Sequence, residues 1–157
     1  MMTQRPKVLI INDTYSRLHP GTQAVMSSLL NRICPPTAMI FTLPTGEDWR
    51  KNQSFIESLG LTHCIVNGEG TIHHTAQRKR AAGLLEFVEW SRLQGLKTAL
   101  INTTLYETQP SDLMKLSSAH SIVVRDTKSK SELDDISSRV LAAPDLSLLY
   151  GQLTNLE

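Results

Sequence analysis

The chain has 157 residues, of which 40% are hydrophobic and 20% are charged, enough apolar sequence for one domain with a buried core. Its 16 lysines and arginines nearly balance its 15 aspartates and glutamates, so the formal net charge at pH 7 is only +1. A nearly neutral protein does not attract polyanions, so this balance argues against nucleic acid and against an anionic membrane as partners.

The cysteines and the first residues predict a cytoplasmic protein. Cys34 and Cys64 lie in apolar segments and form no C-x-x-C pair, as is typical of a reducing compartment. The first apolar run, residues 8–11, is far shorter than a signal-peptide core or a membrane span. We therefore expect no membrane insertion, and we expect both cysteines to fill the core.

Short apolar runs rich in β-branched residues recur along the chain. Their apolar character is continuous rather than alternating, which predicts strands covered on both faces, as in a parallel sheet. The runs are residues 8–11, 38–41, 64–66, 98–101, 122–124 and 140–142.

Segments with helical spacing separate these runs. The clearest covers residues 75–93, where Gly95 follows as a stop signal. Other helices are predicted over 22–32, 47–59 and 111–117, the last with Ser111 as its N-cap, and a short turn over 126–133. The alternation predicts a single Rossmann-like domain over residues 1–157, with α/β/α layers and a mostly parallel sheet of five or six strands.

Small polar or charged residues follow five of the predicted strands. Ligands of such sheets bind outside the carboxyl ends of the strands, so these residues should line one edge together. Each alone could be only a turn former or a helix cap, but their recurrence favours a ligand site. The candidates are Asn12, Asp13, Asn67, Gly68, Gly70, Thr71, Asn102, Thr103, Arg125 and Asp145.

Residues 67–74 are the richest stretch. Two glycines flank Glu69, so the backbone can turn tightly and approach a ligand before the long helix, whose first amides can hold a phosphate or carboxylate. Neither a G-x-G-x-x-G motif nor a P-loop is present, so we expect no dinucleotide or ATP cofactor held by those devices. Glu69 is either an acid, base or hydroxyl-binding group, or a loop carboxylate that caps a backbone amide.

His73 and His74 invite comparison with a metal site. Adjacent side chains diverge, however, and Gln77 and Arg78 stand where the second histidine of a helical zinc pair would be. We therefore expect no metal site. Either histidine could instead bind an anion or exchange a proton near neutral pH.

A second candidate anion site follows the first strand. The helix predicted there begins near His19, Gly21 and Thr22, and its first amides and positive dipole end could bind a negative charge. The alternative is a surface loop whose helix is capped by Thr22.

Arg125 comes directly after a predicted buried strand. Its planar guanidinium suits bidentate binding of a carboxylate or phosphate. The alternative is an ion pair with Asp126 or Asp145.

Four blocks follow one another along the chain: Ile-Val-Asn-Gly-Glu-Gly-Thr-Ile-His-His at 65–74, Leu-Ile-Asn-Thr at 100–103, Ile-Val-Val-Arg-Asp at 122–126 with Ser129 and Leu133, and Ala-Pro-Asp at 143–145. Their order resembles the polysaccharide pyruvyl transferase family, whose members typically show a glycine-rich turn after a middle strand, an Arg-Asp-x-x-Ser segment and a Pro-Asp. Asn-Asp-Thr at 12–14 with His-Pro-Gly-Thr at 19–22 is similar to the first-strand loop of that family.

The resemblance implies transfer of a pyruvyl group from phosphoenolpyruvate to sugar hydroxyls, forming a ketal in a polysaccharide. It implies a two-lobed architecture, of which this chain is similar to the first lobe. Glu69 would transfer a proton or bind the acceptor hydroxyl, with His73 or His74 as a supporting acid. Arg125 and the amides near residues 21 and 70 would hold anionic oxygens. The alternatives are a non-catalytic module that binds a sugar or phosphate ligand, as a homodimer in place of the missing lobe, and a lobe of a glycosyltransferase.

Overall fold

Each of the predicted apolar runs forms a strand. A computed structural model describes residues 5–136 and 139–151 of the chain. The strands are β1 (Lys7–Asp13), β2 (Met39–Pro44), β3 (His63–Glu69), β4 (Lys97–Thr103), β5 (Ser121–Val124) and β6 (Val140–Ala142). In the described residues they form one sheet of six parallel strands in the order β2-β1-β3-β4-β5-β6. The predicted fold class, a Rossmann-like α/β domain, is confirmed.

Helices connect the strands. They are α1 (Pro20–Ser28), α2 (Gln53–Ser58), α3 (Lys79–Leu93), α4 (Pro110–Leu116), α5 (Thr127–Ser131) and α6 (Ser147–Gly151). A π-helical turn over Leu29–Ile33 extends α1, and a 3-10 turn over Trp49–Asn52 leads into α2. The last helix, α6, has no counterpart in the sequence prediction, because its five residues are too few to show helical periodicity.

The sheet has a hydrophobic core on each face. Successive residues of a strand point to opposite faces, so Leu9 and Ile11 join one core while Val8 and Ile10 join the other. The first core contains buried side chains of α2, α3 and α4, and the second contains those of α1. Both faces of β1 are thereby buried, which is why its sequence is continuously apolar.

The start of α3 differs from the prediction. Helical spacing begins at Thr75, but the helix begins at Lys79. His74 has a φ of 51°, in the left-handed region, which interrupts a right-handed helix. The Thr75 hydroxyl accepts a hydrogen bond from the amide of Gln109 at 2.9 Å, which ties residue 75 to the start of α4.

The N-cap predicted for α4 is wrong. Gln109 is the N-cap, and Pro110 occupies the first helical position. Proline suits that position because its fixed φ is helical and it has no amide hydrogen to leave unpaired. Ser111 therefore lies one residue inside the helix.

Both cysteines are buried, with exposed fractions of 4% for Cys34 and 1% for Cys64. Burial raises the pKa of the Cys34 thiol and raises that of Cys64 to about 12. The prediction that they fill the core is confirmed. Within the described ranges, none of the helices combines the length and apolar composition needed to cross a bilayer.

Candidate functional site

The strand order reverses between β1 and β3. The chain leaves β1 toward β2 on one side, whereas it leaves β3 toward β4 on the other. The two loops therefore diverge and leave a crevice outside the carboxyl ends of these strands, which is where open α/β sheets bind ligands.

Backbone strain is concentrated along this edge. Asn12, Glu69 and Asn102 have φ values of 63°, 41° and 57°, all in the left-handed region. They lie at the carboxyl ends of three adjacent strands, β1, β3 and β4. This conformation costs on the order of 1 kcal/mol or more in a residue such as glutamate, whereas asparagine adopts it more readily, and such conformations cluster at functional sites.

Asn12 joins four parts of the site. Its side chain is buried, and its side-chain amide donates a hydrogen bond to the backbone carbonyl of Asn67 at 2.6 Å. Its Oδ1 accepts from the Thr45 hydroxyl at 2.8 Å and from the guanidinium of Arg80. Asn12 therefore connects β1 with β3, with the loop after β2 and with the beginning of α3.

The Glu69 carboxylate is held through one oxygen. Its Oε1 accepts hydrogen bonds from the hydroxyl of Thr14 at 2.5 Å and from the side-chain amide of Asn67 at 3.1 Å. In the described part of the chain, no group donates a hydrogen bond to Oε2. The carboxylate is thus oriented by side chains rather than by a backbone amide, and its second oxygen can accept a hydroxyl proton.

The two glycines beside Glu69 differ in their surroundings. A Cβ atom on Gly68 would lie 2.3 Å from the Cβ of Thr103, so packing of β3 against β4 requires glycine there. A Cβ atom on Gly70 would have the Arg125 guanidinium 3.6 Å away, an ordinary contact. The backbone at Gly70 therefore lies close to Arg125.

Arg125 forms an ion pair with Asp145. Its Nη1 lies 2.6 Å from Oδ2 of Asp145, and its Nε donates to the Thr104 hydroxyl at 3.1 Å. Asp126, the other partner considered for it, instead caps α5. In the described residues Nη2 of Arg125 donates no hydrogen bond and lies beside Gly70, so it can bind an anionic ligand while Nη1 stays paired with Asp145.

Replacing Asp145 by asparagine tests this ion pair. Burial raises the pKa of the Asp145 carboxyl, but hydrogen bonds from Arg125 and Ser147 outweigh it, so the net pKa lies below its usual value. The resulting stabilisation is present above the usual pKa of an aspartate, about 4, and is lost as the pH falls through the lowered pKa. We expect urea unfolding to show a loss of roughly 1–2 kcal/mol for Asp145→Asn at pH 7. That difference should shrink at acidic pH.

The control for this prediction is Asp134→Asn, which changes an exposed aspartate. A pH-independent difference between wild type and Asp145→Asn would contradict the ion-pair account. Equal losses in the two variants would contradict it as well.

The loop before α1 is built differently from the prediction. His19, not Thr22, is the N-cap, and its Nδ1 accepts from the amide of Gly21 at 3.2 Å. Five of the predicted site residues come together here, because His19, Gly21, Thr22, Glu69 and Asp145 all line one cavity of about 120 Å³.

Other predicted residues are buried in the edge. Asn102 and Thr103 have exposed fractions of 2% and 0%. Oδ1 of Asn102 accepts from the amide of Leu146 at 3.0 Å and so fixes the loop after β6. Among the described residues, Nδ2 of Asn102, Oγ1 of Thr103 and Oδ1 of Asn67 have no hydrogen-bond partner. At the carboxyl ends of β3 and β4, three buried polar atoms are therefore left without a hydrogen bond from the described residues.

Asp13 and Thr71 stabilise turns. The Asp13 carboxylate accepts from the amide of Tyr15 at 2.8 Å, and the amide of Thr71 donates to the carbonyl of Gly68 at 3.0 Å. Both therefore have local structural partners at the edge of the crevice.

The adjacent histidines contact each other and different neighbours. Their Nδ1 atoms lie 2.6 Å apart, Nε2 of His74 lies 3.1 Å from the Glu107 carboxylate, and Nε2 of His73 contacts the Arg78 guanidinium. Burial, with the charges of Arg78 and His74, lowers the pKa of His73. The lowered pKa favours the neutral form of this imidazole, whose Nε2 accepts from Arg78. In the described ranges, no three histidine, cysteine or carboxylate side chains are grouped so that they could hold a metal ion.

Arg80 was not among the site residues predicted from the sequence. It lies in the first turn of α3 and also borders a cleft of about 490 Å³ between the ends of β1 and β2 and the helix. The available signal was the run Arg78-Lys79-Arg80, because cations are unfavourable at the positive end of a helix dipole. With the helix expected to begin at residue 75, this run would lie a turn inside it, away from the positive end of its dipole.

The parallel sheet, the crevice at the strand reversal and the polar carboxyl edge together define a Rossmann-like α/β domain with a candidate ligand site. Comparison with protein-family models, with curated proteins and with solved structures found no significant match to this chain. Its function therefore has to be inferred from the chemistry of the residues described above.

Proposed function

We propose that this domain binds phosphoenolpyruvate and a sugar at the carboxyl edge of its sheet and transfers the pyruvyl group to sugar hydroxyls in polysaccharide biosynthesis. One observation carries the proposal. The segments that resemble pyruvyl transferases are far apart in sequence, yet the cavity at β1 and β3 is lined by residues from two of the four blocks, Glu69 and Asp145, and by His19 from the first-strand loop.

Pyruvyl transfer makes defined demands on a site. Two sugar hydroxyls form bonds to C2 of phosphoenolpyruvate, the bond from C2 to the phosphate oxygen breaks, and inorganic phosphate leaves. One hydroxyl proton ends on C3, which becomes a methyl group, and the other ends on the phosphate. The site must therefore move protons and stabilise anionic oxygens.

The described residues can meet these demands. Glu69, oriented by Thr14 with its Oε2 accessible to a hydroxyl, is the proton acceptor in this proposal. His73 or His74 assists in proton transfer. Anionic oxygens are held by the backbone amides near Gly21, at the start of α1, and by those near residue 70. The guanidinium of Arg125, which lies beside Gly70, binds them as well.

A second candidate is a non-catalytic module that binds a sugar or phosphate ligand. The small volume of the cavity at Glu69, about 120 Å³, favours it, because a cavity below the usual 300–1,000 Å³ of a ligand site has less room for two substrates than for one small ligand. For the transferase, the same observation means that a second lobe or a second copy of the chain must close the crevice.

The test is phosphate release from phosphoenolpyruvate with and without pyranoside acceptors, together with proton NMR of the product. Acceptor-dependent release with a new ketal methyl signal is the result that the transferase proposal predicts. Thermal stabilisation by phosphoenolpyruvate without release would favour the binding module. Stabilisation by uridine diphosphate sugars alone would overturn both in favour of a glycosyltransferase lobe.

A further inference from the structure

Positive charge is concentrated where β1 ends and α3 begins. Repulsion from Arg17 and Arg78 contributes to lowering the pKa of the Arg80 guanidinium, so both side chains lie within electrostatic reach of Arg80. The 15 residues of α3 begin at Lys79, and its first turn has no acidic side chain. No acidic side chain of that turn balances the positive end of the helix dipole, so the dipole adds to the positive charge of the arginines.

Arg80 has no anionic partner within the described residues. None of their carboxylates lies within 4.0 Å of it, and its guanidinium donates instead to the neutral side-chain amide of Asn12. The carboxylate that acts on it from a greater distance is Glu69. By contrast, Arg50 pairs with two carboxylates and Arg125 with one.

Burial of this cation is unfavourable. Removal from water is the largest cause of the lowered pKa of Arg80, and like charges add to it. A partly buried guanidinium is normally retained with a carboxylate or phosphate that offsets its desolvation. A bound anion would supply the compensation that no described carboxylate gives.

The adjoining cleft has the size of a ligand site. Its volume is about 490 Å³, within the usual range for small molecules. Its apolar lining includes Leu43, Trp49 and Leu84. Its polar lining includes Asn12, the cations of Lys79, Arg80 and Arg50, and the carboxylates of Glu47 and Asp48, of which Asp48 is paired with Arg50. Cationic and apolar linings together fit a molecule that carries a phosphoryl group on an organic part.

We infer that Arg80, supported by Arg17 and Arg78, binds the phosphoryl group of a phosphorylated small molecule whose organic part lies in the cleft between β2 and α3. This phosphoryl site does not depend on the proposed function, because it requires no transfer chemistry and its cleft shares no lining residue with the cavity at Glu69. Phosphoenolpyruvate serves as a probe of it. Asn12 orients the Arg80 guanidinium toward that group.

The test compares Arg80→Gln with Arg92→Gln, which removes the same charge from the last turn of the same helix. Binding of inorganic phosphate and of phosphoenolpyruvate is measured by titration calorimetry at low ionic strength. We expect Kd to rise roughly tenfold or more for both probes in Arg80→Gln, since a charge-assisted hydrogen bond is lost. We expect less than a twofold change in Arg92→Gln. Arg80→Lys, which keeps the charge, should recover part of the affinity.

The melting temperature separates loss of binding from loss of folding. Because Arg80 is an uncompensated cation at the positive end of a helix, Arg80→Gln should melt in phosphate-free buffer at the same temperature as wild type or higher. Equal affinity in Arg80→Gln and wild type, equal losses in both glutamine variants, or no binding of either probe by wild type would each overturn the inference.

The two proposals fail in different ways. If Arg80→Gln loses phosphate binding while wild type does not turn phosphoenolpyruvate over, the phosphoryl site stands and pyruvyl transfer falls. If wild type forms the ketal and Arg80→Gln binds phosphoenolpyruvate as wild type does, pyruvyl transfer stands and the phosphoryl site falls.

Discussion

Replacing Glu69 by glutamine is expected to reduce acceptor-dependent phosphate release from phosphoenolpyruvate by roughly a hundredfold or more, the usual contribution of a positioned acid or base. Glutamine cannot take up a hydroxyl proton. Its carbonyl oxygen can still accept the hydrogen bonds that Thr14 and Asn67 give to Oε1. The fold should therefore survive, and the melting temperature should change little.

The control is Glu89→Gln, an exposed position of α3, which should keep both the rate and the melting temperature of wild type. Initial rates of phosphate release and thermal unfolding of all three proteins make the comparison. Full activity in Glu69→Gln would remove Glu69 from the reaction. A fall of many degrees in its melting temperature would instead assign Glu69 a structural role.

Replacing Gly68 by alanine is expected to destabilise the fold by roughly 1–3 kcal/mol or more, as other overpacked sites do. The new Cβ would lie 2.3 Å from Cβ and 2.5 Å from Oγ1 of Thr103, and 3.0 Å from its Cα. These atoms belong to the buried pairing of β3 with β4, so the two central strands would have to move apart. For a domain of this size the melting temperature should fall by roughly 3–10 °C.

Gly70→Ala is the matched control, because its Cβ would meet only the Arg125 guanidinium at 3.6 Å. It should leave the melting temperature nearly unchanged. Adding Thr103→Gly to Gly68→Ala removes the two shortest contacts and should recover part of the loss. Equal destabilisation by the two alanine variants would contradict the distinct packing of these glycines.

The sheet was predictable because its strands are buried on both faces. Residues such as Leu9 and Ile10 belong to opposite cores, which produces the continuous apolar runs that a parallel sheet predicts. The left-handed φ of His74 cannot be predicted from helical spacing, so the predicted start of α3 was too early. The histidine cap of α1 was missed because the usual capping residues are Ser, Thr, Asp and Asn.

The site was predictable where it depends on strand ends and not where it depends on distant contacts. The rule that ligands bind at carboxyl ends singled out Asn12 and Glu69, and the fold places both at the ends of neighbouring strands. Arg125 had two possible partners in the sequence, and only the tertiary structure selects Asp145. Arg80 contacts Asn12 across 68 residues of sequence, a relation that no local pattern reveals.

If the carboxyl edge of the sheet around β1 and β3 binds a phosphorylated ligand, a proton–nitrogen correlation NMR titration of the isotopically labelled chain with phosphoenolpyruvate should reveal it. We expect the largest shifts on the amides of residues 12–22, 67–74 and 80. Shifts confined to the opposite edge, in the pocket beside Cys34 and His120, or none at saturating ligand, would contradict it.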